Sequence, residues 1–240
     1  MYEIGFQPLY RMWPVAIVKA QRESSLNWNW LVTLCRDVVS DQRAIWTNPW
    51  RMANSSVIMW LLYTPATGAL ILLDSRITRQ LPRRREELAI SGWASRLGTS
   101  YTLCLAAGAV LVGGCLRNDE HAVRVGLLAL RTIADTALVA KVLKLATQRP
   151  RPSEDNGRGR FGRGGDGFPS GHSINSWALA ALLAHEFPSR RIGVMSYGIA
   201  LTVSLARLFG RRHFASDAFA GAVAGWYIGK YVQQCSRTNN

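Results

Sequence analysis

Cysteine, lysine and acidic residues are all scarce in this chain of 240 residues. The four cysteines form no C-x-x-C pair, so neither a zinc site nor a dithiol centre has support from the sequence. Charged residues make up 18% of the chain and apolar residues 48%, a balance that excludes an intrinsically disordered protein. Collagen-like and disulfide-scaffold proteins are excluded as well, because glycine accounts for only 21 residues and cysteine for four.

Patterns typical of β-structure, of internal repeats and of a secretory signal peptide are also missing. No segment shows the sustained alternation of apolar and polar residues that marks a half-buried strand. No period of 20–50 residues is visible. Charged residues and prolines interrupt the N-terminal segment, which therefore lacks a basic start followed by an apolar core. We therefore expect a helical protein without a signal peptide.

Arginine is what the chain has in excess. Lysine plus arginine number 29 against 15 acidic residues, which gives a net charge of +14, and only four of the basic residues are lysine. Nucleic acid, an anionic membrane surface and a phosphate-bearing substrate all fit such a charge. An arginine-rich gene composition accounts equally well for the scattered arginines. No zinc-finger or aromatic RNA-binding pattern accompanies them, so nucleic acid is not an expected partner, and no protein partner is readable.

Apolar segments divide the chain into three parts. Residues 1–51 form an aromatic-rich N-terminal arm with one or two short helices, 52–234 form a six-helix domain, and 235–240 form a tail. The uncharged runs 52–73 and 97–116 have the length that a membrane-spanning helix requires. Four further helices are predicted at 121–147, 172–187, 192–209 and 214–234. The predicted fold class is all-α, a membrane-embedded six-helix bundle with a peripheral arm.

Two local expectations concern the predicted helix 121–147 and the segment after it. Arg131 and Asp135 are four residues apart, so they could pair on one helix face. The run at 157–167, GRGRFGRGGDG, is too rich in glycine to pack a core, and we expect it to be a mobile loop.

Polar residues are concentrated at the ends of the predicted helices in three clusters, KLATQRPRP at 144–152, FPSGH at 168–172 and RLFGRRHFASD at 207–217. Neighbouring helices of a bundle alternate in direction, so these ends fall on the same side. The guanidinium of arginine and the ammonium of lysine bind phosphate oxygens. The free backbone N–H groups at Ser170-Gly171, where a helix begins, also favour an anion. The sequence therefore predicts an oxyanion site.

The two histidines of these clusters differ in their surroundings. Asp217 follows His213 by four residues, so its carboxylate can fix the tautomer of the imidazole and leave the other nitrogen free to attack. His172 can then act as the acid that protonates a leaving oxygen.

The order and spacing of the clusters, K-x6-R-P, P-S-G-H and R-x5-H-x3-D, resemble the three signature motifs of the type 2 phosphatidic acid phosphatase superfamily. The motifs cover residues 144–217, and the helix plan extends the resemblance over about 52–234. One departure is Ala206, where the third motif usually has serine.

The resemblance implies a role for each matching residue. His213 would be the nucleophile that becomes a phosphohistidine, Asp217 would orient it, and His172 would be the general acid. The phosphate oxygens would be held by Lys144, Arg151, Ser170, Gly171 and Arg207. Arg149 is either a further site residue or a solvated neighbour of Pro150. No metal and no other cofactor is implied, because fixed cations neutralise the phosphate charge.

The expected function is therefore metal-independent hydrolysis of phosphate monoesters or diphosphates, with a lipid such as phosphatidate or a polyprenyl diphosphate as substrate. The resemblance implies a site that faces away from the cytoplasm, whereas the arginines of 74–96 would place that side inside by the positive-inside rule.

Three alternatives remain at this stage. A soluble-type acid phosphatase would act on small phosphate esters. A vanadium-dependent haloperoxidase shares the anion pocket and would oxidise halide when vanadate is added. A catalytically inactive membrane scaffold would be indifferent to replacement of the histidines.

Overall fold

The computed structural model describes residues 29–47, 57–81, 96 and 98–238, and within them it contains seven α-helices and no strand. This confirms the predicted all-α class. The first helix falls in the predicted arm and the other six correspond to the predicted domain. The helices are α1 Asn29–Thr47, α2 Val57–Gln80, α3 Ser100–Arg117, α4 Glu120–Thr147, α5 Gly171–Glu186, α6 Arg190–Phe209 and α7 Ala215–Thr238.

Helix ends are set by side-chain caps and short turns. The side chains of Thr99, Asp119 and Ser170 accept a backbone N–H at the starts of α3, α4 and α5. Asn118 takes a left-handed conformation, with φ of 55°, and α3 and α4 are joined there by two residues. Connections this short make α3 and α4, and likewise α5 and α6, antiparallel neighbours, which brings the ends of α4 and α6 and the starts of α5 and α7 to one side.

Helix α2 is longer than predicted at its C-terminal end. The uncharged run ends at residue 73, yet the helix continues to Gln80. Asp74 does not end the helix, because its carboxylate is buried and bound to Arg149 of the α4–α5 connection. A charge that finds a partner inside the protein is compatible with a helix interior.

The seam between α5 and α7 is the closest helix contact near the site. A Cβ placed at Gly225 or Gly229 of α7 would lie only 2.1 or 2.0 Å from a carbonyl oxygen of α5, and one at Gly221 would lie 2.7 Å from the carbonyl oxygen of Ser170, the N-cap of α5. These glycines are four residues apart and so form one ridge of α7. Because this ridge carries no side chains, the backbones of α5 and α7 are in direct contact. The contact holds the first turns of the two helices next to each other.

The arm helix α1 is docked against α4 through charged groups. The guanidinium of Arg131 donates to Asp41, at 2.5 and 2.7 Å, and to Asp37 at 3.0 Å. Asp135 accepts instead from Gln42, at 2.9 Å. The predicted pairing of Arg131 with Asp135 along one face of α4 is therefore wrong. Each of the two side chains forms its hydrogen bonds with residues of α1 instead.

Large apolar side chains on the outside of the bundle are concentrated on α2, α3 and α6. Leu72 is 83% exposed, Leu105 75% and Met195 67%. In the described part of the chain, α3 and α6 are long and apolar enough to cross a membrane. A mainly apolar groove of about 610 Å³ lies between α5 and α6, lined by Trp177, Tyr197 and Leu201 among others.

Candidate active site

The three sequence clusters meet at one end of the bundle, as predicted. The backbone N–H of Ser170 donates to the carbonyl of Asp217 at 3.0 Å, which joins the starts of α5 and α7. Arg207, His213, Lys144 and Arg151 all lie near enough to the ring of His172 to influence its protonation, so the five side chains share one region. Of the residues that the structure describes, only Lys144 would come near a Cβ on Gly171, with its ammonium at 3.9 Å. That leaves space for a ligand beside the N-terminus of α5.

His213 is buried, and its Nδ1 atom lies 2.8 Å from the carbonyl oxygen of Gly167. A carbonyl only accepts, so Nδ1 carries the proton and Nε2 keeps its lone pair. The Asp217 carboxylate is farther away, with Oδ2 at 3.7 Å from Nδ1. Asp217 thus acts on His213 through its charge, whereas Gly167 fixes the tautomer, a contact that the sequence did not predict.

The protonation of His213 is set by burial. Removal of the ring from water lowers its pKa below the usual 6.5, and the nearby Arg207 and Arg151 act in the same direction. Asp217 opposes this shift through its hydrogen-bonding capacity and its charge. The imidazole is therefore neutral near pH 7, the form that a nucleophile requires.

Asp217 is held by contacts on both oxygens. Oδ2 accepts the backbone N–H of Phe214 at 2.8 Å, which closes the first turn of α7, and Oδ1 accepts from Arg149 at 2.6 Å. The side chain is fully buried. Its orientation is therefore fixed before any substrate binds.

Arg149 is buried and bound to Asp217, so of the two alternatives that the sequence left open it is not a solvated neighbour of Pro150. The side chain is 1% exposed, and its donors bind Gly159, Ser216, Asp217 and Asp74. The aromatic rings of Phe161 and Phe214 lie on the guanidinium, with centroids at 4.7 and 4.3 Å. These contacts use the donors inside the protein, and Asp74 is a partner that no sequence motif indicated.

The cations assigned to phosphate contact an acid that sequence reasoning missed. Arg151 donates to both carboxylate oxygens of Asp166, at 2.8 Å each, and the Lys144 ammonium lies 3.7 Å from Asp166. Partial burial acts to raise the pKa of Asp166, but its hydrogen bond to Arg151 and the charges of Arg151, Lys144 and His213 bring it below 3.8. Asp166 is thus ionised and occupies donors that a phosphate would use. Its one sequence signal is that it is a lone acid between glycines.

The glycine-rich run that was predicted to be mobile is instead a hydrogen-bonded loop. The N–H groups of Gly162, Arg163 and Gly167 donate to the carbonyls of residues 147–149. Gly157, Gly159, Gly162 and Gly164 have positive φ, the conformation that lets the chain fold back on itself. The prediction failed because glycine was taken as a sign of flexibility, whereas here it permits tight turns. The loop delivers the carbonyls of Gly159 and Gly167 to Arg149 and His213.

Comparison with known proteins gives a family model and several relatives that match part of the chain. The family model described as PAP2 superfamily matches residues 125–240. A lipid A 1-phosphatase of Rhizobium etli is 31% identical over 111 residues, 43% of this chain and 47% of that protein. A lipid A 4'-phosphatase of Bacteroides thetaiotaomicron is 41% identical over 71 residues, 30% of this chain and 31% of that protein. The chain therefore spans less than half the length of these curated relatives.

A solved structure shows the same fold over most of the molecule. The transmembrane PAP2-type phosphatidylglycerolphosphate phosphatase of Bacillus subtilis superposes with a TM-score of 0.53 at 21% identity, covering 86% of this chain and 96% of that one. Identity at this level establishes the arrangement of helices and not the chemistry. The three motifs at one end of an all-α bundle, the family match and the shared fold agree. Over residues 125–240, the chain matches the model of the PAP2 superfamily.

Proposed function

We propose that this chain is a metal-independent phosphatase that hydrolyses the phosphate of a membrane lipid through a phosphohistidine on His213. The observation that carries the proposal is the state of His213, which is buried, neutral and held by Gly167 in one tautomer. The same helix ends bring Lys144, Arg151 and Arg207 into range of the two histidines.

The proposed reaction has two displacements. In the first, Nε2 of His213 forms a bond to phosphorus while the bond from phosphorus to the lipid oxygen breaks, and His172 donates a proton to that oxygen. Burial and the neighbouring cations lower the pKa of His172 to about 3. His172 therefore takes up this proton from solvent only once the bound phosphate offsets the charge of those cations. In the second, His172 takes a proton from water, the water oxygen bonds to phosphorus, and the N–P bond returns its electrons to His213. Asp217 stabilises the positive ring during both steps, and the cations with the α5 amides hold the phosphate oxygens.

A lipid substrate is supported by the outside of the bundle and by the relatives. The exposed apolar side chains of α2, α3 and α6 form a hydrophobic outer surface of the kind found at membrane-interaction sites. Helices α3 and α6 are also long and apolar enough to span a membrane. The site lies at helix ends, the level at which a headgroup would meet the protein in a bilayer. The relatives are named for action on lipid A, so we add lipid A to phosphatidate and a polyprenyl diphosphate as candidate substrates.

The experiment is phosphate release by the detergent-purified protein in EDTA. The substrate panel contains lipid A, phosphatidate, phosphatidylglycerolphosphate, a polyprenyl diphosphate and a soluble aryl phosphate. We expect release from at least one lipid in EDTA, and loss of at least about a thousandfold in His213→Ala, the scale seen when a catalytic nucleophile is removed.

The matched control is His185→Ala. His185 is also a helix histidine, but it lies at the other end of α5, where Nδ1 contacts the carbonyl of Ala181 at 2.8 Å. Its replacement should leave release unchanged. Loss of activity in EDTA that added divalent ions restore would contradict the metal-free mechanism. Preference for the aryl phosphate over every lipid would contradict the substrate class.

A further inference from the structure

Behind His213 a buried chain of charges runs from α2 to the start of α7. The Nη2 atom of Arg149 donates to Asp74 at 2.7 Å, and its Nη1 atom donates to Asp217 at 2.6 Å. Asp217 in turn faces His213. Each of the three charged side chains is at most 1% exposed. One guanidinium thus bridges two carboxylates, and only one of the two lies beside the proposed nucleophile.

The bridge is closed by Ser216, the residue next to Asp217. Its backbone N–H donates to Asp74 Oδ1 at 3.0 Å and its hydroxyl donates to Asp74 Oδ2. Its hydroxyl oxygen also accepts from Nη1 of Arg149 at 2.7 Å. Asp74 therefore anchors both the arginine and the backbone of the first turn of α7. Ion pairs this deep are costly to desolvate, and they persist where the partners satisfy one another's hydrogen bonds.

We propose that Arg149 and Asp74 are positioning residues for the reaction, which act on His213 only through Asp217. This inference rests on the proposed function. Arg149 fixes Oδ1 of Asp217, so that Oδ2 is directed at the imidazole. Asp74 shares the positive charge of Arg149, so Arg149 does not fully neutralise Asp217. The negative charge of Asp217 can then stabilise the His213 ring when that ring becomes positive.

The charge balance predicts how the replacement of Asp74 would affect His213. In Asp74→Asn the full charge of Arg149 falls on Asp217, which then supports a positive His213 less well. The other charged groups that face His213 are Arg207 of α6, and Arg151 and Asp166 of the α4–α5 connection, together with His172 of α5. These stay in place in the variant, so a change in the behaviour of His213 reports on the bridge.

The first test compares kcat, KM and inhibition by inorganic phosphate in Arg149→Lys and Asp74→Asn. For both we expect kcat to fall by about ten- to a hundredfold, the range for supporting groups around a site. KM and phosphate inhibition should stay within about threefold, because Lys144, Arg151 and Arg207 are untouched. Arg160→Lys, at an exposed position of the same loop, is the matched control and should behave as wild type.

The second test is a double-mutant cycle with Asp217→Asn. If Arg149 and Asp74 act through Asp217, then Arg149→Lys or Asp74→Asn in that background should cost less than about threefold further, whereas independent groups would give multiplied losses. A purely structural role would not show this dependence on Asp217. Asparagine has the size and shape of aspartate, so Asp74→Asn should fold. If Arg149→Lys does not fold, Asp74→Asn alone is sufficient for the double-mutant cycle.

A third readout is the acid limb of kcat/KM, which should move to lower pH in Asp74→Asn, since His213 then accepts a proton less readily. Weakening of phosphate inhibition in parallel with kcat would identify Arg149 as a phosphate ligand and overturn the proposal, as would multiplied losses in the cycle. These failures differ from failure of the proposed function, because in that case His213→Ala itself would retain activity.

Discussion

At the scale of the residue, the site is defined by a few acceptors that decide where protons lie. The carbonyl of Gly167 holds the Nδ1 proton of His213. Two carboxylates act on other groups of the site: Asp217 acts on His213, and Asp166 acts on Lys144 and Arg151. Replacing Asp217 or Asp166 changes a charge beside the histidine or beside the cations but leaves those groups in place. Kinetic measurements can therefore separate effects on His213 from effects on phosphate affinity.

The lowered pKa of His213 leads to a prediction for the pH profile. Protonation removes the lone pair that attacks phosphorus, so activity is lost as pH falls through the pKa of the folded protein. Because burial lowers this pKa below 6.5, the acid limb of kcat/KM should lie below pH 6.5. In Asp217→Asn the opposing influence is removed, and the limb should move lower still.

The measurement is the pH dependence of kcat/KM for wild type and Asp217→Asn with the same substrate. Ionisation of the substrate phosphate contributes equally to both, so the difference between the profiles belongs to the protein. A limb that moves upward in Asp217→Asn would contradict the assignment of the limb to His213.

Asp166 leads to a second prediction at this scale, because its carboxylate competes with substrate phosphate for Arg151 and Lys144. In Asp166→Asn we expect KM and the inhibition constant for inorganic phosphate to fall by about two- to fivefold, the range for a partly exposed charge pair. The difference should shrink at high salt.

Glu154→Gln is the matched control for Asp166→Asn. Glu154 belongs to the same connection and accepts the backbone N–H of Arg151 at 2.8 Å, but it does not bind the guanidinium. It should change phosphate affinity less than Asp166→Asn does. An increase in KM for Asp166→Asn would mean that the acid holds the cations in place for substrate.

At the scale of the element, the glycine ridge of α7 determines how precisely the site is assembled. A methyl at Gly225 would lie 2.1 Å from the carbonyl oxygen of Ile174, and a backbone atom cannot move aside as a flexible side chain can. Gly225→Ala should therefore push α7 from α5, destabilise the protein by about 1–3 kcal/mol and lower kcat.

Thermal unfolding in detergent and phosphate release together measure the effect of Gly225→Ala. The matched control is Gly198→Ala on α6, where an added Cβ has nothing within 4 Å. There alanine should stabilise the helix by about 0.5–1 kcal/mol through backbone propensity alone. Equal responses of the two variants would show that the seam is not closely packed.

Elements also differ in how well the sequence predicts them. The six domain helices and the helix ends that carry Lys144, His172 and Asp217 follow from apolar length, from Pro150 and from the motif order. The conformation of residues 157–167 cannot be predicted from the sequence, because a high glycine content is typical of both flexible linkers and tightly turned loops. Asp74 lies 75 residues before its partner Arg149, and a pair brought together only by folding leaves no local pattern.

At the scale of the whole molecule, the apolar outer faces and the position of the site at one end predict a defined orientation in a bilayer. If the site faces away from the cytoplasm, an impermeant thiol reagent added outside spheroplasts should label Arg163→Cys in the site loop. It should not label Glu120→Cys at the opposite end of α4. Both variants are made in a background with the four native cysteines changed to serine.

The reverse labelling would place the site inside, as the arginines of 74–96 indicate through the positive-inside rule. Labelling of both positions, together with release of the protein by carbonate washing, would contradict a membrane-embedded molecule. The sequence predicts this architecture at the level of helices and their ends, whereas the family orientation and the charge rule disagree. The arginines that the resemblance assigns to phosphate lie on the same side as those of 74–96 and add to the count that the charge rule uses.

The closed seam between α5 and α7 restricts the route by which a long substrate can reach His213. Where the backbones leave no space for one methyl group, they leave none for a hydrocarbon chain. If the substrate is a lipid, as proposed, its tail must therefore leave the site on another side of α5. The glycine ridge thus closes one side of the site to the substrate as well as joining the two helices.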